Sequence, residues 1–148
     1  QLAIIEFARH QAGLKTATSM EFDKEGDFVV HYMAGQSKDG AKGGSMRLGA
    51  YDCEITAGTL AEKIYGTTKI SERHRHRLEV NNEYIAPLEK AGLIISGKNT
   101  KHNLVEVIEL KDHPFFIACQ YHPEFKSRPY SPHPLFKSFV EASGKDKR

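Results

Sequence analysis

The chain reads FFIACQYHPEF at residues 115–125, where an apolar run is followed at once by a histidine and a carboxylate. Residues 115–121 are apolar enough to be buried on both faces, as the central strands of α/β proteins are. Burial on both faces would fix the position of the C-terminal end of this strand. Pro123 fixes the backbone behind His122, and Glu124 has the same parity as His122, so its carboxylate can accept a hydrogen bond from the imidazole.

A carboxylate in this position sets the tautomer of the histidine and stabilises the imidazolium that forms when the histidine takes a proton from a nucleophile. The sequence therefore predicts that His122 and Glu124 are the base and the orienting acid of a nucleophilic triad. A His-Pro-Glu tripeptide alone is also compatible with a strand-ending turn whose carboxylate is solvated, so the interpretation depends on the rest of the chain.

Several further motifs carry a family resemblance. CQYHPEF at residues 119–125 is similar to the His/Glu segment of class I glutamine amidotransferases, in which Cys, His and Glu release ammonia from glutamine through a thioester. GGSMRLG at residues 43–49 and ERHRHRLEVN at residues 72–81 resemble, in order and spacing, the glutaminase domains of the CTP synthase family. With SMEF at residues 19–22 and with Gln1, the resemblance covers almost the whole chain.

The resemblance implies a flavodoxin-like α/β fold, the C-terminal portion of a class I glutamine amidotransferase domain, with a mixed sheet and flanking helices. Residues 1–144 are assigned to this domain and residues 145–148 to a frayed tail. Residues 1–12 are helix-like, with Leu2, Ile5, Ala8 and Ala12 on the expected core face and Gly13 as a stop, but no capping residue precedes them. The chain is therefore expected to have been cut inside a larger domain. In the family the nucleophilic Cys sits on a tight strand-to-helix turn, which would lie just before Gln1.

The resemblance also assigns three residues to the binding of L-glutamine. Gln1 matches the last residue of the segment that follows the nucleophile, Glu21 matches an acidic contact to the α-amino group, and Arg77 matches the arginine that binds the substrate carboxylate. The guanidinium fork suits this role because it pairs with a carboxylate in a bidentate manner. Without the resemblance, Glu21 would be interpreted as an exposed loop acid.

The charged run at residues 72–77 leaves three interpretations open. In extended conformation its three arginines share one face and its glutamate and two histidines share the other. The run could be a solvated edge strand, a His-x-His metal half-site or a carboxylate-binding face. No further metal ligands stand at convincing spacing, so no metal site is predicted. The resemblance favours the third interpretation for Arg77. Arg73 and Arg75 are expected to form inter-domain or internal ion pairs.

Neither cysteine fits the role of nucleophile. Cys53 and Cys119 are far apart and lie in apolar strand-like runs, a pattern typical of buried free thiols. Cys119 has the parity opposite to that of His122, so it is expected to face away from the base.

Local patterns predict the remaining elements. Residues 59–66 form a helix with a Thr cap and a Gly stop. Residues 93–97 and 104–110 form a hairpin, in which Glu106 alternates with valines as in a half-buried strand. Residues 135–142 form a final helix whose Leu135, Phe139 and Val140 are expected to cover the sheet.

Composition indicates an ordinary globular protein, with 148 residues, 39% hydrophobic residues and a formal net charge of +2. A near-neutral chain does not favour nucleic acid as a partner. No apolar run approaches the roughly 20 residues that span a bilayer, so no membrane association and a cytoplasmic location are expected.

The resemblance implies that glutamine hydrolysis supplies ammonia to a separate synthase domain, which uses ATP and Mg²⁺ to aminate UTP to CTP. No cofactor is assigned to this segment, and GTP is expected as an activator sensed near the Gly-rich loop at residues 35–44. The expected partners are the upstream half of the glutaminase domain, the synthase domain and further copies in a homo-oligomer, a tetramer by resemblance. Another class I amidotransferase and a non-catalytic module with this fold remain the alternatives.

Overall fold

The computed structural model describes residues 1–32 and 46–145. The predicted loop at residues 35–44 and residues 146–148 of the predicted tail lie outside the described residues. The helices and strands follow in the order Leu2–His10 (α1), Ala17–Ser19 (β1), Asp27–Tyr32 (β2), Arg47–Ile55 (β3), Leu60–Tyr65 (α2), Lys69–His76 (β4), Leu78–Val80 (β5), Ile85–Lys90 (α3), Leu93–Asn99 (β6), Leu104–Leu110 (β7), Ile117–Cys119 (β8) and Pro134–Lys145 (α4), with 3-10 turns at Asn82–Tyr84 and Pro123–Phe125.

The chain forms two compact units, the first from residues 1–48 and 75–93 and the second from residues 49–74 and 94–148. One sheet has the order β1-β2-β5 and the other has the order β4-β3-β6-β7-β8. The β1–β2 pair is parallel, whereas the β2–β5, β3–β6 and β7–β8 pairs are antiparallel. The predicted mixed sheet with flanking helices is confirmed.

In the first unit, α1 packs against β1 and β2. It buries Ile4, Ile5, Phe7 and Ala8, whereas Leu2 is 67% exposed. The expected core face was confirmed for Ile5 and Ala8 and was wrong for Leu2, because the buried Ile4 and Phe7 lie on a face rotated away from it. The helix ends at His10, before the predicted stop at Gly13, whose φ of 73° lies in the left-handed region.

In the second unit, the local signals for α2 are confirmed. The Thr59 side chain accepts a hydrogen bond from the amide of Glu62, and Gly66 ends the helix with a φ of 68°. Two amides of the first turn have a partner on another strand, because the buried carboxylate of Glu109 accepts hydrogen bonds from the amides of Leu60 and Ala61 at 2.9 and 2.6 Å. This carboxylate reaches α2 from β7.

Strand β7 is buried on both of its faces, so the prediction of a half-buried strand was wrong. The carboxylate of Glu109 accepts hydrogen bonds at the start of α2, and the Oε2 of Glu106 lies 3.5 Å from the Nε2 of His74 on β4. Buried carboxylates persist where they find partners of this kind. The apolar core beside them consists of Cys53, Ile55, Ala61, Val107, Tyr121 and Leu135.

Strand β8 stands at one end of its sheet and is half-buried, so the prediction of a central strand buried on both faces was wrong. Within the described residues it spans only Ile117–Cys119. The backbone that follows is bonded on both sides: the amide of Gln120 donates to Glu106 on β7, and the amide of His122 donates to Arg73 on β4. Since β4 is the strand at the opposite end, the sheet curls until its two ends meet beside His122.

The final helix is confirmed as α4, but only one of its three predicted core residues is buried. Leu135 is 7% exposed, whereas Phe139 and Val140 are 60% and 69% exposed. The expectation that all three cover the sheet was therefore wrong for Phe139 and Val140.

Candidate active site

The side chains of His122 and Glu124 form a hydrogen bond at the end of the apolar run. Nδ1 of His122 lies 2.7 Å from Oε1 of Glu124. His122 caps the 3-10 turn Pro123–Phe125, which we call the His122 turn, and the proline occupies its first position. The imidazole also stacks on Phe125, with ring centroids 4.9 Å apart and planes inclined by 15°. Two neighbours within the same turn therefore fix the orientation of the ring.

The electrostatics of this pair suit a base held by a carboxylate. Partial desolvation opposes ionisation of Glu124, but the hydrogen bond from His122 and its charge outweigh this and lower the pKa of the Glu124 carboxyl. The carboxylate therefore accepts from Nδ1 and leaves Nε2 as the basic nitrogen. Within residues 1–32 and 46–145, Nε2 has no hydrogen-bond partner, and the side chain is 36% exposed. The predicted hydrogen bond is confirmed, and the catalytic role remains a prediction.

The two cysteines are poorly suited to act as nucleophiles. Cys119 is half-buried and directs its Sγ toward the carbonyl of Tyr121 at 3.5 Å. Burial, assisted by the negative charges of Glu72 and Glu124, raises the pKa of the Cys119 thiol to about 12. Cys53 is 1% exposed within the core. Since the thiolate is the attacking species, the Cys119 thiol is not activated for attack near neutral pH, and Cys53 is enclosed in the core.

In the first unit, Gln1 and Glu21 lie together. The Nε2 of Gln1 donates to Oε2 of Glu21 at 2.9 Å and to Oγ of Ser19 at 3.0 Å. The Ser19 hydroxyl also accepts the amide of Glu21 at 3.1 Å. Ser19 is the last residue of β1, so the buried end of this strand positions the side chains of Gln1 and Glu21.

Arg77 lies at the same edge of the β1-β2-β5 sheet as this pair. It directly precedes β5, whose first residue, Leu78, pairs with Tyr32 at the C-terminal end of β2. Because β1 runs parallel to β2, Ser19 also ends at this edge. Among the described residues, no carboxylate pairs with the Arg77 guanidinium, which is half-buried. Three predicted binding residues thus stand at one sheet edge.

The charged run shows the predicted alternation. On β4, Arg73 and Arg75 are exposed while Glu72 and His74 are buried. A solvated edge strand therefore describes only the arginine face. His76 directs its Nδ1 to the carbonyl of Leu78 at 3.1 Å. In the part of the chain that the structure describes, no group of three or more His, Cys, Asp or Glu side chains is placed to hold a metal ion.

Sequence reasoning missed three residues that hold the proposed site. Ser19 positions Gln1 and Glu21, Phe125 stacks on His122, and Lys126 donates to the carbonyl of Ser71. The first two could have been found, because Ser19 stands two residues before Glu21 and Phe125 stands one helical turn after His122. The contact of Lys126 joins residues 55 positions apart and leaves no local signal.

The fold agrees with the comparison with protein families. The model of glutamine amidotransferase class I matches residues 1–142, and the chain belongs to this family. Curated relatives show which members of this family the chain is similar to. The chain is 53% identical over 144 residues to the CTP synthase of Moorella thermoacetica and 54% identical over 143 residues to that of Caldanaerobacter subterraneus. Each alignment covers at least 96% of this chain, which spans only 27% of the length of either relative.

A solved structure shows the same similarity. The glutaminase domain of Trypanosoma brucei CTPS, determined with bound acivicin, superposes on the whole of this chain with a TM-score of 0.89 and 40% sequence identity. The match covers 58% of that chain.

Among the helices in residues 1–32 and 46–145, none is long and apolar enough to cross a membrane.

Proposed function

We propose that this chain is the glutaminase portion of a CTP synthase, which hydrolyses L-glutamine and delivers ammonia for the ATP-dependent amination of UTP to CTP. The observation that carries the proposal is the 2.7 Å hydrogen bond between His122 and Glu124, which leaves Nε2 as the free base nitrogen. Similarity along nearly the whole chain to CTP synthases supports the choice of acceptor nucleotide.

In this proposal His122 Nε2 removes the proton from a cysteine thiol, and the thiolate sulfur attacks the carboxamide carbon of glutamine. Glu124 stabilises the imidazolium through Nδ1. The imidazolium then protonates the amide nitrogen, the carbon–nitrogen bond breaks, and ammonia leaves a thioester. His122 next takes a proton from water, which attacks the thioester and releases glutamate and the thiol.

The nucleophilic thiol is proposed to belong to a part of the protein outside residues 1–148. This follows from chemistry, because Cys119 has a raised thiol pKa and Cys53 is buried in the core. For substrate binding, Arg77 is proposed to pair with the α-carboxylate of glutamine, and Glu21, held by Gln1, is proposed to accept its α-ammonium group.

The proposal extends to the whole protein. A synthase domain would use ATP and Mg²⁺, GTP would act as activator, and copies of the chain would assemble into a homo-oligomer. None of these ligands is assigned to a described residue. A cytoplasmic location is part of the proposal. The predicted domain limits, residues 1–144 with a tail at 145–148, are retained as part of the proposal.

The test compares two sources of nitrogen in the full-length gene product. CTP formation from UTP and ATP is measured with glutamine or with ammonium chloride, in the wild type and in His122→Ala. We expect His122→Ala to lose glutamine-dependent formation by at least about 100-fold and to keep ammonia-dependent formation, because free ammonia bypasses the base. A wild type without glutamine-dependent activity would refute the proposed function.

A further inference from the structure

Three polar contacts fix the His122 turn against β4. The amide of His122 donates to the carbonyl of Arg73 at 2.8 Å. Lys126, the first residue after the turn, donates from Nζ to the carbonyl of Ser71 at 2.6 Å. The same ammonium lies 3.5 Å from Oε1 of Glu72. One contact therefore precedes the turn and two follow it, so the turn is held at both ends.

The carboxylate of Glu72 explains why Lys126 is drawn onto the sheet. Glu72 is 1% exposed, and a carboxylate removed from water is unfavourable unless charge and hydrogen bonds compensate it. Its Oε1 receives the ammonium of Lys126 and the Nε2 of His133, at 3.5 and 3.0 Å. Its Oε2 has no hydrogen-bond partner among the described residues. Lys126 supplies this carboxylate with a full positive charge.

His133 fixes the orientation of Glu72 from the other side. Its Nδ1 accepts the amide of Leu135 at 3.3 Å, which in the neutral ring assigns the proton to Nε2 for donation to Glu72. The amide of His133 donates to Oγ of Ser127 at 3.1 Å. Glu72 is therefore held where Lys126 meets it, and Lys126 is the member of this cluster nearest in sequence to the proposed base.

We propose that Lys126, anchored on Glu72, is a positioning residue for the amidotransferase reaction. This inference rests on the function proposed above. Among the described residues, the Lys126 ammonium bonds Ser71 and Glu72 and not the imidazole of His122. It holds the C-terminal end of the His122 turn on β4, while the His122 amide holds the N-terminal end, so Nε2 stays at a fixed place relative to the backbone of β4.

The kinetic consequence follows from the sensitivity of proton transfer to position. A displacement of about 1 Å at a reacting group can lower a rate by roughly 100-fold. Loss of the Lys126 contacts should therefore reduce kcat for glutamine hydrolysis. The KM for glutamine should change little, since the proposed binding residues are Gln1, Glu21 and Arg77.

The experiment uses the full-length gene product and the variants Lys126→Met, Lys126→Arg and Glu72→Gln. We expect Lys126→Met to lower kcat for ammonia release from glutamine by about 10- to 100-fold with KM within about twofold of the wild type. Lys126→Arg keeps the charge and the donors, so it should recover kcat to within about threefold. Glu72→Gln combined with Lys126→Met should lose no more than the worse single variant, because both substitutions remove the same ion pair between Lys126 and Glu72.

Lys137→Met is the matched control. Lys137 is an exposed lysine on α4 whose ion pair with Glu141 lies within the same helix, so its loss should leave kcat unchanged. A second readout does not depend on activity: hydrogen exchange of peptides that include the His122 amide should become faster in Lys126→Met and stay unchanged in Lys137→Met.

The outcomes separate the positioning role from the function. If His122→Ala abolishes glutamine hydrolysis while Lys126→Met matches the wild type in kcat and in hydrogen exchange, the positioning role is overturned and the function stands. Equal losses of glutamine-dependent and ammonia-dependent synthesis in Lys126→Met would overturn it too, because they would indicate a general defect in folding. A wild type that does not hydrolyse glutamine would overturn both.

Discussion

Replacing Glu124 by Gln tests the proposed triad most directly, because it removes one charge and keeps the size of the side chain. A hydrogen bond to a charged group contributes about 1.5–3 kcal/mol. The 2.7 Å contact is short, but the side chains of His122 and Glu124 are 36% and 55% exposed, so solvent screening favours the lower end of that range. A loss of about 1.4 kcal/mol in the stabilisation of the imidazolium corresponds to a tenfold lower rate.

We therefore expect Glu124→Gln to lower kcat for glutamine-dependent ammonia release by about tenfold, and Glu124→Ala to lower it further because the tautomer is no longer set. The assay measures ammonia release at saturating glutamine and, separately, CTP formation from ammonium chloride. Glu141→Gln is the matched control, an exposed carboxylate on α4 paired with Lys137. Full glutamine-dependent activity in Glu124→Gln would refute the triad assignment, and a parallel loss with ammonia would point to misfolding.

Three other predictions concern binding, the nucleophile and packing. Arg77→Ala should raise KM for glutamine by about 10- to 100-fold and leave ammonia-dependent synthesis intact; equal losses of both would indicate a structural role. A polypeptide of residues 1–148 alone should release no measurable ammonia from glutamine. In the full-length protein Cys119→Ser should retain activity, whereas a loss of activity in this variant would identify Cys119 as the nucleophile. Gly97→Ala should destabilise the domain by about 1–3 kcal/mol, because the added carbon would lie 2.7 Å from a methyl group of β7, whereas Gly144→Ala on α4 meets open space and should raise the unfolding temperature slightly.

Signals that act within one turn of chain could be predicted correctly from the sequence. The Thr59 cap, the Gly66 stop and the His122–Glu124 hydrogen bond all join residues at most four positions apart. Their geometry depends on the local backbone, which neighbouring residue types determine. His122 and Glu124, two members of the proposed triad, could therefore be predicted without a structure.

Burial was harder to predict, because it depends on partners that are distant in sequence. Glu106 and Glu109 have the spacing of the solvent face of a strand, but both are buried. Glu106 contacts His74, which is 32 positions away, and Glu109 contacts the start of α2, which is at least 48 positions away. The apolar run before His122 looks like a central strand, yet β8 has one strand neighbour in the described sheet. Periodicity gives the conformation of such segments and does not say which face another element covers.

The alternation on β4 has a consequence for how this gene can change. Glu72 and His74 point into the second unit and Arg73 points out, and successive strand residues always face opposite sides. One codon inserted at Ser71 would shift every later residue of the strand by one position, turning a guanidinium inward and the two buried partners outward. Two inserted codons would restore the facing of each side chain. We therefore expect sequence variation in this segment to consist of substitutions, with length changes confined to the turns that flank it.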